Sequence, residues 1–483
     1  MADLKRRGRL QGENRDPLLK TPEPPREEIL KRPLPATEED GATGIRQTDR
    51  TSRDEAKRKG PLGFLQALGP GLITGAADDD PSGIGTYSQV GSQFGYGLLW
   101  TALFTLPMMA AIKELCARIA LQTGVGLGTA LRRKFPTALV GACILGLVIA
   151  NIINLGADLA AVAVGFELLT RGLVKEIYLI VPVALLVLGM QLFTTYRVIF
   201  KTFKWLTLAL FAYVFAAVLA HPNVGKLVLS TFIPHLEMSP GFITALVAVL
   251  GTTISPYLFF WQATSEIEDE RALGRSTERS RHGVSRLELQ AARVDVMVGM
   301  FFSQLVMYCI ILTGAAVLNA HGKTNIQDAA QAATALEPIA GRFAFVLFAV
   351  GMIGTGLLAI PIFSGSAAYA VKEFFGLPGT LDTKPRYRPT FYLIIVLATA
   401  IGIGINFVHI DPIKALFWTA VINGVVAPPL MVLIVLLGSD RDFMEKRVSG
   451  ALSKSLTWIA TVFMGIAAIA MVVTTWVLPH FKS

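Results

Sequence analysis

Uncharged apolar segments about 20 residues long recur along this chain, and they restrict it to the fold of a polytopic membrane protein. An α-helix of about that length spans the hydrocarbon core of a bilayer. Of the 483 residues, 53% are hydrophobic and only 16% are charged, which is less charge than a soluble domain carries. The sequence therefore predicts an all-α protein whose main partner is the lipid bilayer.

These segments predict about eleven transmembrane helices. The predicted spans are residues 62–92, 96–120, 137–169, 176–196, 202–220, 239–265, 290–319, 341–373, 389–408, 412–437 and 453–478. Lysine and arginine concentrate in every second loop, and the positive-inside rule then places the N-terminus in the cytoplasm and the C-terminus outside. We therefore expect an integral protein of the plasma (cytoplasmic) membrane. One of the basic cytoplasmic loops is the charged stretch from Glu266 to Arg286, and Lys113 and Glu114, near the cytoplasmic end of the second span, are expected at the membrane interface.

The N-terminal residues 1–60 differ in composition from the rest of the chain. They are rich in Lys, Arg, Glu, Asp, Pro and Thr and nearly free of aromatic side chains, so they cannot bury enough apolar surface to fold alone. We expect a disordered cytoplasmic tail. The net charge of +9 does not indicate a nucleic-acid partner, because basic cytoplasmic loops account for it. No obligate protein partner is evident from the sequence.

Sequence motifs give no support for a disulfide framework, a structural zinc site or an enzyme. Cys116, Cys143 and Cys309 lie in or beside apolar segments and lack CxxC spacing, so they predict neither disulfides nor zinc. The chain has no HExxH and no GxSxG motif. We expect a protein that is not an enzyme and that uses no cofactor.

The first apolar segment is interrupted by three acids, Asp78, Asp79 and Asp80, followed at once by Pro81. Proline removes a backbone donor and clashes with the preceding turn, so a helix breaks there. Freed carbonyls and a carboxylate at membrane depth are tolerated only where they line a polar cavity, and hard cations take such oxygen ligands. Asp80 is therefore the leading candidate metal ligand. The alternative is an ordinary loop whose acids lie in water.

A second interruption, Ser255-Pro256, falls in the sixth predicted span. If spans one to five repeat as spans six to ten, the second copy starts after an odd number of crossings and is inverted in the membrane. Matching interruptions in two such halves indicate the central binding site of a transporter. We predict repeat halves at 61–220 and 221–437, with the eleventh span in 438–483.

Several motifs resemble those of the Nramp divalent-metal transporters, over about residues 62–437. The matching stretches of the first three helices are Gly69-Pro70-Gly71-Leu72, Asp80-Pro81-Ser82-Gly83, Gln93-Phe94-Gly95-Tyr96, Leu98-Leu99-Trp100 and Ala157-Asp158-Leu159-Ala160. The stretch from Gly251 to Tyr257 falls where that family has its sixth-helix Met-Pro-His motif. The resemblance implies a LeuT-like fold of inverted five-helix repeats, with the substrate held between broken helices 1 and 6.

Departures from the family pattern change the metal site that the resemblance implies. The family aspartate is kept as Asp80, but its asparagine position is Gly83 and its methionine position is Ser255. The Thr252 carbonyl matches a family ligand, and Asn423 is a substitute for a family glutamine one turn away; its alternative is an interhelical hydrogen bond. Without a thioether the site is made of oxygens, which suits hard ions such as Mg²⁺ and Mn²⁺. Small residues at Gly83 and Ser255 predict room for a partly hydrated ion.

Other departures concern the residues along which the family moves protons. The family histidine is Tyr257, which does not titrate near neutrality, and a third-helix glutamate is Asn151, while an aspartate is kept as Asp158. Together with Asp79, these three residues are predicted to line a polar path. The alternative for Asp158 is a structural hydrogen bond to a neighbouring helix. The alternative for Asp79 is that it belongs to a run of charges at a helix end. The changes resemble those of Nramp-related magnesium transporters and speak against obligatory proton coupling.

Three functions remain in competition at this point. The first is import of Mg²⁺, and also of Mn²⁺, as transported substrates. The second is proton-coupled Mn²⁺/Fe²⁺ symport, which the retained Asp158 favours. The third is transport of an organic solute such as an amino acid, whose carboxylate would suit a free helix N-terminus. Three consecutive acids at the first break would repel such an anion.

Overall fold

The computed structural model describes residues 70–194, 198, 210–220, 222–324, 326, 329–381, 383–408 and 412–474. The tail predicted over residues 1–60, and residues 202–209 of the fifth span predicted over 202–220, lie outside these residues. Within them the secondary structure is entirely helical, as predicted.

The helices follow one another through short connections. They are α1 Pro70–Asp78, α2 Pro81–Phe94, α3 Trp100–Thr123, α4 Leu127–Lys134, α5 Thr137–Leu169, α6 Glu176–Phe193, α7 Phe211–Leu219, α8 Val224–Phe232, α9 Pro240–Thr253, α10 Pro256–Ala272, α11 Glu278–Arg281, α12 Arg286–Thr313, α13 Ala329–Phe375, α14 Pro389–Asn406, α15 Pro412–Ser439, α16 Arg441–Met444 and α17 Ala451–Val472. Gly95–Leu98 forms a 3₁₀ turn, and α12 continues as a π turn, Gly314–Leu318.

Both predicted helix breaks are present and are built alike. Pro81 begins α2 and Pro256 begins α10, where their missing N–H groups leave no hydrogen bond unmade. The residue before each proline is extended: Asp80 has φ −66° and ψ 170°, and Ser255 has φ −78° and ψ 124°. This is the conformation that a following proline favours.

Eight helices or helix pairs in the described part of the chain are long and apolar enough to cross a membrane. The pair Pro81–Leu98 and Trp100–Thr123, bent by 104°, raises the number to nine if it counts as one span. Eleven spans therefore remains a prediction. The α9–α10 segment is 94% buried in its apolar window, against 28% for α6, so α9 and α10 lie at the centre of the bundle and α6 at its edge.

Glycine pairs let the central helices approach closely. A Cβ atom added at Gly75 in α1 would lie 2.2 Å from the Gly299 carbonyl oxygen of α12, and one at Gly251 in α9 would lie 2.0 Å from the Ala420 carbonyl oxygen of α15. Side chains at these positions would force the backbones apart. Small residues at helix interfaces are typical of membrane bundles, where close packing replaces the hydrophobic effect.

Helices α5 and α13 run antiparallel in a regular register. The Asn151 side-chain amide donates to the Phe363 carbonyl over 3.4 Å. Seven residues further along α5, the Asp158 carbonyl lies 3.7 Å from a Cβ atom placed on Gly356 of α13. Seven residues beyond that, a Cβ atom placed on Gly165 would lie 3.3 Å from the Ala349 carbonyl of α13. The contacts advance by seven residues on α5 and recede by seven on α13. One face of α5, defined by every seventh residue, therefore contacts α13 along the helix.

Polar contacts join the segments near the basic loops. Both outer nitrogens of Arg133 bond the carboxylate of Glu278 over 2.6 and 2.9 Å. The backbone N–H of Gly128, in the first turn of α4, donates to the Glu373 carboxylate over 2.8 Å. A Cβ on Gly126 would overlap that carboxylate, so the glycine is needed for its approach.

Two predictions about charged segments were wrong. The charged loop was expected to start at Glu266, but α10 continues to Ala272 and carries its acids into contact with neighbouring helices; the Tyr369 hydroxyl, for example, donates to Glu268 over 3.2 Å. Lys113 and Glu114 were expected at the membrane interface. Both are buried inside the protein, because each has an oppositely charged partner there.

Candidate functional site

The Asp80 carboxylate caps the first turn of α2. Its Oδ1 accepts hydrogen bonds from the Gly83 backbone N–H over 2.7 Å and from the Ser82 hydroxyl over 2.6 Å. Among the described residues both of these bonds use Oδ1, so Oδ2 is the oxygen that can face a cation. Asp80 is 2% exposed, and the helix N-terminus stabilises its charge.

The second break uses its polar residue differently. The Ser255 hydroxyl does not cap α10; it turns back and donates to the Thr252 carbonyl over 2.6 Å, with the Gly251 carbonyl 3.1 Å away. Ser255 thus closes the carbonyl end of α9. The Thr252 carbonyl predicted as a ligand is at the break, and because a carbonyl oxygen has two lone pairs, one remains for a metal ion.

Hydrogen bonds connect the two broken helices across the site. The Tyr257 hydroxyl in α10 donates to the Ala77 carbonyl, at the end of α1, over 2.7 Å. The hydroxyls of Ser82 and Thr252 are 3.4 Å apart, and those of Tyr87 and Thr253 are 3.2 Å apart. The predicted residues of the first and sixth spans therefore form one buried, oxygen-lined site.

The space predicted beside Gly83 is absent in this conformation. A Cβ placed there would lie 3.2 Å from Tyr87 Cε2 and 3.3 Å from Thr252 Oγ1. The prediction of room for a partly hydrated ion at Gly83 was wrong for this state, because the Tyr87 ring and the Thr252 hydroxyl fill the volume. Gly83 contributes its N–H to Asp80.

Asp78 has a structural partner that the sequence did not suggest. Its Oδ1 lies 2.9 Å from Lys113 Nζ in α3 and its Oδ2 accepts from the Ser303 hydroxyl of α12 over 3.0 Å. The ion pair is fully buried. The charge of Asp78 is therefore balanced within the protein.

Asp79 differs from both of its neighbours. It is 0% exposed, and neither carboxylate oxygen accepts a hydrogen bond from the described residues. A buried carboxylate without a partner is strongly unfavourable, so Asp79 is suited to a role in which a cation or proton arrives at the break. That placement fits the predicted polar path.

The third-span residues of the predicted polar path lie on one face of α5. Asn151 and Asp158 are two turns apart, and Asn154 lies between them; all three are buried. Both carboxylate oxygens of Asp158 and both amide atoms of Asn154 are without hydrogen-bond partners in the described part of the chain, and so is Asn151 Oδ1. A structural hydrogen bond of Asp158, the alternative, is not found among these residues.

Asn423 lies in α15 beside the close contact of α15 with α9. It is 1% exposed, and its Oδ1 has no hydrogen-bond partner among the described residues. The neighbouring Gly424 fits so tightly that a Cβ there would approach the Val247 carbonyl to 2.8 Å. That this amide oxygen has no partner in the described part of the chain favours the ligand interpretation over an interhelical bond.

Three polar groups at the helix breaks were not predicted from the sequence. The Ala77 carbonyl, the Ser82 hydroxyl and the Thr252 hydroxyl each bond across or beside the breaks. The proline at position 81 was the available signal for Ala77, because a proline frees the carbonyl four residues earlier. A thioether, Met307 Sδ, lies 3.6 Å from the Thr253 hydroxyl on the α12 side, and nothing in the motif spacing indicated it.

The donor set suits a hard cation. No group of three or more His, Cys, Asp or Glu side chains converges among the residues that the structure describes, and the three cysteines are free. The site instead combines one carboxylate with carbonyl and hydroxyl oxygens. Ions such as Mg²⁺ and Mn²⁺ prefer such ligands.

Comparisons with known proteins agree with this architecture. Residues 71–474 match the sequence profile of the family described as natural resistance-associated macrophage protein-like, Nramp. The divalent metal cation transporter MntH of Pectobacterium carotovorum subsp. carotovorum is 26% identical over 413 residues, covering 84% of this chain and 92% of that protein.

Solved structures share the fold at low sequence identity. A manganese transporter of Eremococcus coleocola, in complex with an aromatic bis-isothiourea compound, superposes with a TM-score of 0.63 at 16% identity, covering 87% of this chain and 89% of its own. Mhp1, a nucleobase-cation-symport-1 family transporter in a closed conformation, gives 0.55 at 16% identity, covering 86% and 91%. These likenesses confirm the predicted LeuT-like fold. Because the family profile covers most of the sequence, this chain belongs to the Nramp family.

Proposed function

We propose that this protein, a divalent metal cation transporter of the Nramp type, imports Mg²⁺ and also Mn²⁺ without obligatory proton coupling. The observation that carries the proposal is the donor set at the two breaks. Around Asp80 it consists of carboxylate, carbonyl and hydroxyl oxygens, with Ser255 where the family resemblance places a methionine. The metal is cargo, and the protein is a transporter and not an enzyme.

Ligand softness supports Mg²⁺ as a substrate. A thioether selects softer transition metals, whereas oxygen donors accept Mg²⁺, Ca²⁺ and Mn²⁺ alike. Asp80 Oδ2, the Thr252 carbonyl and Asn423 Oδ1 are the proposed ligands, with Ser255 and the Gly83 backbone beside them. Mg²⁺ keeps several waters when bound by proteins, so few direct ligands suffice.

The residues beside the site support transport without obligatory proton coupling. Tyr257 uses its hydroxyl as a hydrogen-bond donor to Ala77, and Asn151 cannot exchange a proton near neutrality. The branch resembled is therefore that of the Nramp-related magnesium transporters. We also propose the two repeat halves 61–220 and 221–437, a plasma-membrane location with the N-terminus in the cytoplasm, and no obligate protein partner.

A second candidate, proton-coupled transport of Mn²⁺ or Fe²⁺, is favoured by two observations. Asp158 is a buried carboxylate with no hydrogen-bond partner among the described residues, which suits a proton carrier. The Met307 thioether lies next to Thr253 at the end of α9, where a rearrangement could bring sulfur nearer the metal.

Uptake of Mg²⁺ into proteoliposomes containing a pH-sensitive dye separates the two candidates. We expect Mg²⁺ entry, competition by Mn²⁺ and a constant interior pH. The variant Asp80→Ala should abolish entry of both ions while keeping the elution profile of the folded protein. Exclusion of Mg²⁺, together with Mn²⁺ entry that acidifies the interior, would refute the first candidate and establish the second.

A further inference from the structure

The face of α5 that points at α13 carries buried polar atoms for which the described part of the chain supplies no hydrogen-bond partner. Asn154 and Asp158 are both 0% exposed. Neither atom of the Asn154 amide and neither oxygen of the Asp158 carboxylate has a hydrogen-bond partner among the residues that the structure describes. Buried polar groups in native proteins nearly always have hydrogen-bond partners. The unpartnered side chains of Asn154 and Asp158 therefore indicate a binding site for a ligand.

Their spacing allows both side chains to reach one ligand. Residues four apart on a helix lie on the same face, about 5–6 Å apart at their Cβ atoms. The contacts of Asn151 with Phe363 and of Asp158 with Gly356 show that this face is directed at α13. Asn154 lies between those two levels. The helical spacing therefore allows its Oδ1 and the Asp158 carboxylate to reach one position between α5 and α13.

This position adjoins the first helix break. A Cβ on Gly356 would lie 3.7 Å from the Asp158 carbonyl and 3.2 Å from Pro81 Cγ, so all three residues meet at one point. Asp158 is also close enough to Asp80 to interact with its charge. An ion bound at Asp158 would therefore act on the same break that carries the proposed metal ligand.

We propose that Asn154 and Asp158 form a second cation site, which binds a small monovalent cation between α5 and α13. The ligand types favour an ion over a proton, because an amide oxygen coordinates cations but does not hold a proton near neutrality. One carboxylate with neutral oxygens balances a single positive charge. At the break, Asp78 is already balanced by Lys113, which leaves Asp79 and Asp80 to balance a divalent ion. Asp158 on α5 then supplies one further buried negative charge beside the break.

The site deepens the proposed function and rests on it for its consequence, since the monovalent ion would favour the conformation that loads the metal. Binding of the ion itself does not depend on metal transport. It can therefore be measured on the purified full-length protein with no divalent metal present, using ²²Na⁺ as the probe.

We expect saturable binding of ²²Na⁺ to the wild-type protein by equilibrium dialysis. Asn154→Leu and Asp158→Asn should each weaken it by about tenfold or more, as loss of a contact at an ion site does. Asp80→Ala should keep Na⁺ binding while losing Mn²⁺ binding. A matched control is Asn406→Ala, because the Asn406 amide bonds the Gly156 carbonyl of the same helix α5 over 2.8 Å and its loss should leave Na⁺ binding unchanged.

Folding is checked by the elution profile and by Mn²⁺ binding, which Asn154→Leu should retain; Asn154→Ala serves if the leucine variant aggregates. No saturable Na⁺ binding by a wild-type protein that binds Mn²⁺ would overturn the inference and leave the polar face to water or a proton. Na⁺ binding that survives Asn154→Leu but is lost in Asp80→Ala would overturn it as well, since the ion would then lie at the metal site. Failure of Mg²⁺ uptake alone would contradict only the proposed function.

Discussion

The hydroxyl of Tyr257 donates a hydrogen bond to the carbonyl oxygen of Ala77 over 2.7 Å and so joins the start of α10 to the end of α1. This bond connects the two broken helices at the level of the proposed metal site. Tyr257 lies at the position where the resemblance to the family placed a histidine, and its hydroxyl joins the two helices. The two half-helices are held together as long as the bond persists.

Replacing Tyr257 with phenylalanine should loosen this closed arrangement. The Ala77 carbonyl would be buried without its donor, which destabilises a structure by about 1–3 kcal/mol. We expect a lower midpoint of thermal unfolding in detergent and altered metal uptake. Tyr392→Phe is the matched control, because the Tyr392 hydroxyl donates to the Leu381 carbonyl over 3.1 Å in another part of the protein. It should leave uptake unchanged; equal uptake defects in both variants would contradict the role given to Tyr257.

Introducing a thioether at the sixth-helix break should change ion selectivity. The Ser255 hydroxyl donates a hydrogen bond to the Thr252 carbonyl. Ser255→Met replaces this hydroxyl with a thioether, a soft ligand that favours transition metals over Mg²⁺. We expect Mg²⁺ uptake to fall and competition by Cd²⁺ to rise. Ser255→Ala separates the two effects, because it removes the hydroxyl without adding sulfur. If the methionine and alanine variants had the same selectivity, Ser255 would not set ion preference.

The buried pair of Asp78 and Lys113 should be important for stability. Lys113→Met leaves the Asp78 carboxylate uncompensated in the interior, and breaking a buried pair in this way costs about 3–5 kcal/mol. The double variant Asp78→Leu/Lys113→Met should recover much of that loss, since it removes both charges. Thermal unfolding measures each step. Arg133→Met is the control: its pair with Glu278 is partly exposed and is worth about 0–1 kcal/mol.

The same exposed pair gives a pH dependence with a defined sign. The hydrogen bond from Arg133 holds the pKa of Glu278 below its usual value of 4.5. The pair's stabilisation is therefore fully present above that value and is lost as the pH falls through the lowered pKa. We expect wild type and Glu278→Gln to differ in unfolding temperature at pH 7 and to converge at the lowest pH. A difference that grows on acidification would show that the pair does not behave in this way.

The glycine contact between α9 and α15 should tolerate no side chain. A Cβ at Gly251 would approach the Ala420 carbonyl to 2.0 Å, so Gly251→Ala should separate the helices, displace Asn423 and reduce both stability and uptake. Gly465 in α17 is the matched control, because a Cβ there meets nothing within 4 Å. Gly465→Ala should be neutral or stabilising by up to about 1 kcal/mol, the helix propensity difference. Similar losses in both variants would contradict the packing argument.

Local chemistry made some features predictable from the sequence. Both breaks follow from Pro81 and Pro256, since proline ends a helix wherever it lies in the fold. The 33-residue helix over Thr137–Leu169 was predicted to the residue because polar turns flank it. In these cases the type of the residue determines the local backbone structure without help from distant parts of the chain.

Other features depend on partners that lie far away in the sequence. Lys113 was predicted at the interface because a lysine in an apolar helix normally lies there; its partner Asp78 is 35 residues away and in another helix. The acids of α10 were assigned to a loop, since only the folded bundle supplies Tyr369 as a partner for Glu268. The space at Gly83 was mispredicted because the Tyr87 ring position depends on the packing of α2 against α9.

At the start of α10, two hydroxyls occupy carbonyl oxygens at the ends of the half-helices before them: Ser255 bonds Thr252, and Tyr257 bonds Ala77. A carrier completes its cycle by returning unloaded, and on that return its site holds no ion to satisfy those oxygens. Each hydroxyl gives its carbonyl a partner that does not depend on an ion. The Thr252 carbonyl keeps its second lone pair for an arriving cation, so the Ser255 bond can persist while the metal loads and leaves. The unloaded return can thus proceed without bare carbonyls at the centre of the bilayer.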